Sequence, residues 1–168
     1  KDDQNIILNH FAIGSEISEK VFNITKNTEN SSVLEFDLNS KWIHERSNEF
    51  NTSIDNFITR KEKVKIITLD DYIKDNQIKN VDILKVDTEG YEDKVLEGAK
   101  NSLKENLFNF VEFEIIHSGV FANHLTWTNV EKFLIQNNYL FAGIESMGVS
   151  NIYESSVFAN NVLYVLKK

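Results

Sequence analysis

The sequence lacks cysteine altogether, although it runs to 168 residues. A disulfide framework and a thiolate metal site are therefore both excluded. The histidines are spread along the chain without the spacing of metal ligands, at His10, His44, His117 and His124. Because the absence of cysteine is compatible with a reducing compartment, we expect a cytoplasmic protein.

Positive charge and long apolar runs are also scarce. Lysine and arginine number 18 against 26 acidic residues, which leaves a net charge of −8. Nucleic-acid binding requires Lys and Arg clustered on one face, so this balance argues against a nucleic-acid partner. No apolar run reaches the ~18 residues of a membrane-spanning helix, and no signal-peptide pattern opens the chain. We expect one soluble domain over residues 1–168.

Strand patterns dominate the first half of the chain. Runs of β-branched and aromatic residues predict strands at residues 6–13, 20–25 and 64–69. Residues 37–60 show little periodicity and are interpreted as loop with irregular helix. Thr68 with Asp71 three residues later resembles a capping box, which predicts a short helix through Ile73.

The second half alternates strand and helix patterns. Apolar runs predict strands at residues 81–86, 108–116, 139–144 and 161–166. After Gly90, small and apolar residues recur at steps of three and four through Leu103, which predicts an amphipathic helix, and Thr128 with Glu131 begins another. Such alternation is typical of an α/β fold with a mostly parallel sheet, and the last two strands predict an antiparallel pair at its edge.

Acidic side chains gather where one of these strands ends. Asp87 directly follows the strand at 81–86, and Glu89 and Glu92 occupy the turn and the first helical positions. Ligands of open α/β sheets bind beyond the carboxyl ends of the strands. A carboxylate at the end of a buried strand loses solvation unless a ligand, a metal or backbone N–H groups receive it, so Asp87 is the leading functional candidate.

The next strand carries a similar pair, Glu112 and Glu114. Side chains alternate along a strand with a period of two, so these carboxylates share one face of an otherwise apolar run. Two carboxylates on one face indicate an opening toward solvent or substrate. Glu114 lies nearer the end of the strand and is the better candidate.

Other interpretations of the acidic stretch compete with a ligand site. Glu89, Glu92 and Asp93 fit a purely structural role, because carboxylates complement the positive end of a helix dipole. The tetrad DTEG matches the Asp-x-x-Gly switch of GTPases, but no glycine-rich nucleotide loop accompanies it. An EF-hand is excluded, because Gly90 would place the first calcium ligand at Lys85.

The segment VDILKVDTEGYEDKVLEGA, at residues 81–99, resembles the FkbM family of S-adenosylmethionine-dependent methyltransferases. The family pattern begins with an apolar strand that is followed by Lys and Asp. An acidic residue next to Gly, a Glu and the series Leu-x-Gly-Ala come after it, and the segment matches this order. Shorter similar segments are TLDDYI at 68–73, AIGS at 12–15, NSSVL at 30–34 and VEFEI at 111–115. The resemblance extends from Asn5 to the end of the chain, and its specific part surrounds Asp87.

The resemblance implies a Rossmann-like class I methyltransferase sheet and an enzyme that uses S-adenosylmethionine to methylate a hydroxyl of a sugar, polysaccharide or natural product. It implies that Asp87 lies nearest the methyl group, as base or as orienting acceptor, and that Glu89 and Glu114 line the acceptor pocket. Ala12 is expected to flank the adenine. His117 is an alternative base, and a divalent cation held by Asp87 and Glu114 stays open, with no metal ligand set predicted.

The resemblance also exposes a gap. Family members open with a strand, a glycine-rich Asp-x-Gly-Ala-Asn-x-Gly loop, a helix and a strand whose acidic end binds the ribose, and the 168 residues contain no such series. We therefore expect the carboxyl-terminal part of a longer domain, with its N-terminal strands missing and with weak or no cofactor binding in isolation. The alternative is a non-catalytic remnant of the fold that binds a partner through its acidic strand ends.

Overall fold

The structure of the chain is a computed structural model that describes residues 5–117, 119–123, 125–146 and 158–167. Its strands, in chain order, are β1 (Ala12–Ile13), β2 (Ser18–Thr25), β3 (Ile58–Ile67), β4 (Val81–Val86), β5 (Phe108–Ile116), β6 (Tyr139–Ser146) and β7 (Ala159–Leu166). Its α-helices are α1 (Lys41–Glu49), α2 (Leu69–Asp75), α3 (Glu92–Glu97), α4 (Lys100–Lys104) and α5 (Trp127–Ile135). Single 3₁₀ turns lie at Thr28–Asn30 and Ile54–Asn56.

The strands form two sheets, and both are mixed. The first has the order β1–β3–β2, with β1 parallel and β2 antiparallel to β3. The second has the order β4–β5–β7–β6, in which β4 and β5 are parallel and the other pairs are antiparallel. The α/β class is therefore confirmed. The described strands do not form the mostly parallel sheet that the alternation predicted, because β7 returns antiparallel between β5 and β6.

The N-terminal strand is much shorter than its composition predicted. Of residues 6–13, only Ala12–Ile13 pairs as a strand, and Ile7 and Leu8 are 78% and 81% exposed. β-Branched residues favour a strand where a neighbouring edge and a covering layer are available, and the described part of the chain supplies neither here.

The segment interpreted as irregular contains regular structure. Helix α1 begins after Ser40, whose Oγ accepts a hydrogen bond from the Ile43 N–H at 3.3 Å. It buries Trp42 and Ile43, although its mostly polar sequence gave no periodic apolar stripe. Strand β3 begins at Ile58, earlier than the predicted start at residue 64. The additional residues are strand because they pair with β2.

The amphipathic pattern after Gly90 forms two short helices rather than one. The chain bends between α3 and α4, where the Gly98 carbonyl accepts a hydrogen bond from the Asp70 N–H at 2.9 Å. The Asp70 carboxylate then accepts hydrogen bonds from the backbone N–H groups of Asn101 and Ser102 at 3.0 and 2.9 Å. These contacts with α2 begin a new helix, and no local sequence signal encodes them.

Threonine residues cap the starts of α2 and α5. Thr68 begins α2 as predicted, because its Oγ1 accepts a hydrogen bond from the Asp71 N–H at 3.0 Å. Helix α5 begins two residues earlier than predicted, with Thr126 and Asn129 forming the capping box instead of Thr128 and Glu131. Strands β6 and β7 match the closing strands, while most of the predicted loop between them lies outside the described residues.

The main core lies between the second sheet and helices α3, α4 and α5. Its fully buried side chains include Leu96, Leu103, Phe108, Val111, Phe113 and Leu134. A second cluster joins α1 to the segment after β5 and is centred on Trp42, Phe57 and Phe121. Among the described residues, no helix is long and apolar enough to cross a bilayer.

Gly98 lies where the end of α3 packs against the turn that follows β1. A Cβ atom at this position would lie 2.0 Å from the carbonyl oxygen of Gly14. We expect Gly98→Ala to lower the free energy of unfolding by ~1–3 kcal/mol or more, because backbone must move to make room. Chemical denaturation measures the loss. Gly143→Ala is the matched control, since nothing lies within 4 Å of its added Cβ, and equal losses at both positions would contradict the close contact.

Candidate active site

Asp87, Glu89 and Glu114 come together beyond the carboxyl end of β4. Each contributes a carboxylate oxygen, and these oxygens lie within 4.8 Å of one another. The parallel register explains the meeting, because Val86 pairs with Phe113 and the next residues along the two strands are Asp87 and Glu114. We call these three side chains the acidic cluster. The structure thus gathers the acidic residues that the sequence indicated, and their roles stay predictions.

A buried glutamate holds the turn that carries Glu89. The Oε1 atom of Glu92 accepts hydrogen bonds from Thr88 N–H at 2.8 Å, from the Thr88 hydroxyl at 2.9 Å and from Gly90 N–H at 3.3 Å. Glu89 and Gly90 both have positive φ angles, of 53° and 91°. The Ser32 hydroxyl donates to the Glu89 carbonyl at 2.9 Å. The turn therefore fixes the backbone from which the Glu89 side chain extends.

Sequence reasoning assigned Glu92 to the helix dipole and missed this supporting role. Glu92 is only 2% exposed, and its carboxylate turns back toward the preceding turn. Burial raises the pKa of Glu92, while the hydrogen bonds from Thr88 and Gly90 oppose the shift. The sequence did contain a signal for this role. Glu92 follows the turn residue Gly90 by two positions, so its carboxylate can reach back and accept hydrogen bonds from the N–H groups of the turn.

Burial and mutual repulsion disfavour the ionised forms of the cluster. Burial raises the pKa of Glu89 to about 8, and the carboxylates of Glu114 and Asp87 add to the shift. Burial likewise raises the pKa of Glu114 to about 7, with a further contribution from Asp87 and an opposing one from Lys85. A site that concentrates negative charge in this way favours a cationic occupant or a proton.

Lys85 is the cation nearest to the cluster among the described residues. Its Nζ lies 3.6 Å from Oδ2 of Asp87 and 3.0 Å from Oε1 of Glu112. Glu112, the other acidic residue on this face of β5, is therefore engaged in an ion pair outside the cluster. The Asp87 side chain remains 44% exposed, so it can be reached from solvent.

A cavity of about 350 Å³ adjoins the cluster. Ala12 lines it together with Asp87 and Glu89, and Glu29 adds a further carboxylate. The rest of the lining is mostly apolar and includes Ile13, Phe22, Val33, Leu69, Leu84 and Val86. The cavity thus combines an apolar wall with an acidic margin. Ala12 and Asp87 share this cavity, although β1 and β4 belong to different sheets, whereas Glu114 is not one of the residues that line it.

His117 does not join the acidic cluster. Its Nε2 lies 2.7 Å from Oδ1 of Asn160, the second residue of β7. It is not one of the residues that line the cavity beside Asp87. Trp42, which is 1% exposed, belongs to the second core cluster.

The comparison with protein families agrees with this arrangement of residues. The family model of the methyltransferase FkbM domain matches residues 1–141, which is most of the chain. The chain therefore belongs to the FkbM methyltransferase domain family. Searches of curated proteins and of solved structures found no match.

Replacing Glu92 should loosen the turn that carries Glu89. Glu92→Ala removes the acceptor of three hydrogen bonds and leaves N–H groups of Thr88 and Gly90 unpaired. We expect a loss of ~1–3 kcal/mol in the free energy of unfolding, because part-buried donors lose their partner. Glu92→Gln keeps a carbonyl acceptor and should lose less. Chemical denaturation of the two variants measures the difference, and equal losses would argue against the hydrogen-bonded role.

Proposed function

We propose that the chain forms the acceptor side of an S-adenosylmethionine-dependent O-methyltransferase that acts on a hydroxyl of a sugar, polysaccharide or natural product. Membership of the FkbM methyltransferase domain family supports the reaction class. The observation that carries the proposal is the acidic cluster, which lies at the end of parallel strands and beside a cavity of about 350 Å³. Ligand sites of α/β sheets lie in this position.

The cavity has features that fit the cofactor. Its apolar wall, with Ile13, Leu84 and Val86, suits the adenine ring, and Ala12 flanks this ring in the proposal. Its carboxylate margin suits a ligand that carries the positive charges of a sulfonium and an ammonium group. When bound, S-adenosylmethionine supplies the reactive methyl group.

Asp87 is the residue that we assign to the acceptor hydroxyl. Its exposed carboxylate would accept a hydrogen bond from the hydroxyl, orient the oxygen and receive the proton as the oxygen–methyl bond forms and the sulfur–methyl bond of the cofactor breaks, which leaves the neutral thioether. Glu89 and Glu114 line the acceptor pocket and limit the orientations of the bound hydroxyl. Orientation accounts for ~7–11 kcal/mol of a typical barrier, while a positioned base contributes ~10²- to 10⁴-fold in rate. Positioning is therefore the larger part of the work assigned to these residues.

The outer edge of β4 is where we place the rest of the domain. Among the described residues β4 pairs with β5 alone, and Ile83 in its middle is 63% exposed. An unpaired edge with an exposed apolar residue beside the cavity fits a further strand of the same sheet. We propose that the glycine-rich cofactor loop follows such a strand, and that residues 1–168 alone bind the cofactor weakly.

Replacement of Asp87 tests the assignment. In the complete protein, we expect Asp87→Asn to reduce methyl transfer to a hydroxyl acceptor by ~10²- to 10⁴-fold, because the amide cannot take the proton. Transfer of a labelled methyl group to a panel of sugar and natural-product acceptors gives the rate. The melting temperature should stay unchanged, since the part-exposed carboxylate has, within the described part of the chain, only Lys85 as an ion partner, at 3.6 Å.

Asp82→Asn is the matched control, because Asp82 is an exposed carboxylate of the same strand and lies outside the cavity. The methyl-transfer rate of the Asp82→Asn variant should equal that of the unmodified protein. Full activity of Asp87→Asn would remove Asp87 from the mechanism. A complete protein that bound S-adenosylmethionine but transferred no methyl group to any acceptor would favour the non-catalytic interpretation.

A further inference from the structure

Glu114 is a buried residue whose carboxylate has no hydrogen-bond donor among the residues that the structure describes. Its side chain belongs to a residue only 9% exposed, and it reaches into the acidic cluster from β5. Among the described residues no group donates a hydrogen bond to its carboxylate, and the causes of its raised pKa are burial and neighbouring charges. Buried carboxylates normally have a partner, because an unpaired buried charge is costly. The carboxylate is therefore available to a ligand that enters the acidic cluster.

The neighbouring carboxylates do not supply the missing partner. The side-chain carboxylate of Glu89 also receives no hydrogen bond from a described residue, although its backbone is held through Ser32 and Glu92. Lys85 is shared, because it forms its closer contact, at 3.0 Å, with Glu112 and lies 3.6 Å from Asp87 of the cluster. The cluster carries up to three negative charges against one shared lysine. Like charges this close repel unless a cation or a proton lies among them.

The spacing of the oxygens fits a single small cation. Hard divalent cations bind oxygen ligands at ~2.0–2.6 Å, so two ligands of one ion lie at most ~5.2 Å apart. The carboxylate oxygens of the cluster lie within 4.8 Å of one another and meet this limit. The donor set is oxygen alone, since the sequence has no cysteine and His117 is bound to Asn160. Such ligands select Mg²⁺, Mn²⁺ or Ca²⁺ rather than softer metals.

We propose that Asp87, Glu89 and Glu114 together bind one hard divalent cation. The ion replaces the missing partner of Glu114 and neutralises the repulsion within the cluster. The open side of the site, at the exposed Asp87, leaves coordination positions for water or for an oxygen of a bound molecule. Binding of the ion stands apart from the proposed function. Its contact with the acceptor hydroxyl rests on that function, and Asp87 would then orient the hydroxyl through the ion.

Titration with Mn²⁺ tests the site directly. The complete protein is stripped of metal with a chelator and then titrated with Mn²⁺ alone, with bound ion followed by electron paramagnetic resonance. We expect one saturable site, and we expect Glu114→Gln or Glu89→Gln to weaken its affinity at least tenfold. Mn²⁺ should also raise the melting temperature of the unmodified protein more than that of either variant, because the ion binds only the folded state.

Asp82→Asn is again the control and should bind Mn²⁺ with unchanged affinity. Glu114→Gln should fold, because it removes an unpaired buried charge while keeping the size of the side chain. No saturable binding up to millimolar Mn²⁺, or equal affinity in the Glu114→Gln variant, would overturn the proposal. Competition by Mg²⁺ and Ca²⁺ ranks the ions that the site prefers.

Methyl transfer measured on the same samples separates this proposal from the proposed function. Transfer that persists in the stripped protein, together with no Mn²⁺ binding, removes the cation and leaves the methyltransferase. Saturable Mn²⁺ binding without transfer to any acceptor supports the cation site and removes the acceptor-hydroxyl role.

Discussion

The parallel pairing of β4 with β5 is the interaction on which the site depends. Parallel strands end at the same edge of a sheet, so residues that follow paired positions lie side by side. Val86 and Phe113 form the last pair, and Asp87 and Glu114 come next. The backbone ladder thereby forces two acidic side chains together. An antiparallel arrangement of the same two strands would have placed these carboxylates at opposite ends of the sheet.

This arrangement opposes the stability of the fold. Burial raises the pKa values of Glu89 and Glu114 to about 8 and about 7, so ionisation near neutral pH works against folding. The protein stabilises the region by other means, with Glu92 closing the turn and a large apolar core behind it. Groups that break the rules of burial in this way concentrate at functional sites, where their charge meets a ligand.

The sequence predicted the parts of this site that local patterns encode. The apolar run before Asp87 and the alternation around Glu114 located two strand ends, because burial periodicity is written in neighbouring residues. The break between α3 and α4 was not predictable, since it depends on Asp70 from another helix and on the approach of Gly14 to Gly98. The short β1 and the position of β7 between β5 and β6 likewise depend on which strand edges are available for pairing. The periodicity of a single sequence carries no information about those edges.

The hydroxyl of Ser32 joins distant parts of the chain. It donates to the Glu89 carbonyl at 2.9 Å, while the Ser32 backbone pairs with Asn23 of β2 at 2.8 and 3.2 Å. Ser32 is fully buried, so water does not compete for these bonds. The antiparallel β2–β3 pair is therefore linked through Ser32 to the backbone of Glu89. The first sheet, which contributes no side chain to the acidic cluster, thus sets how rigidly one corner of that cluster is held.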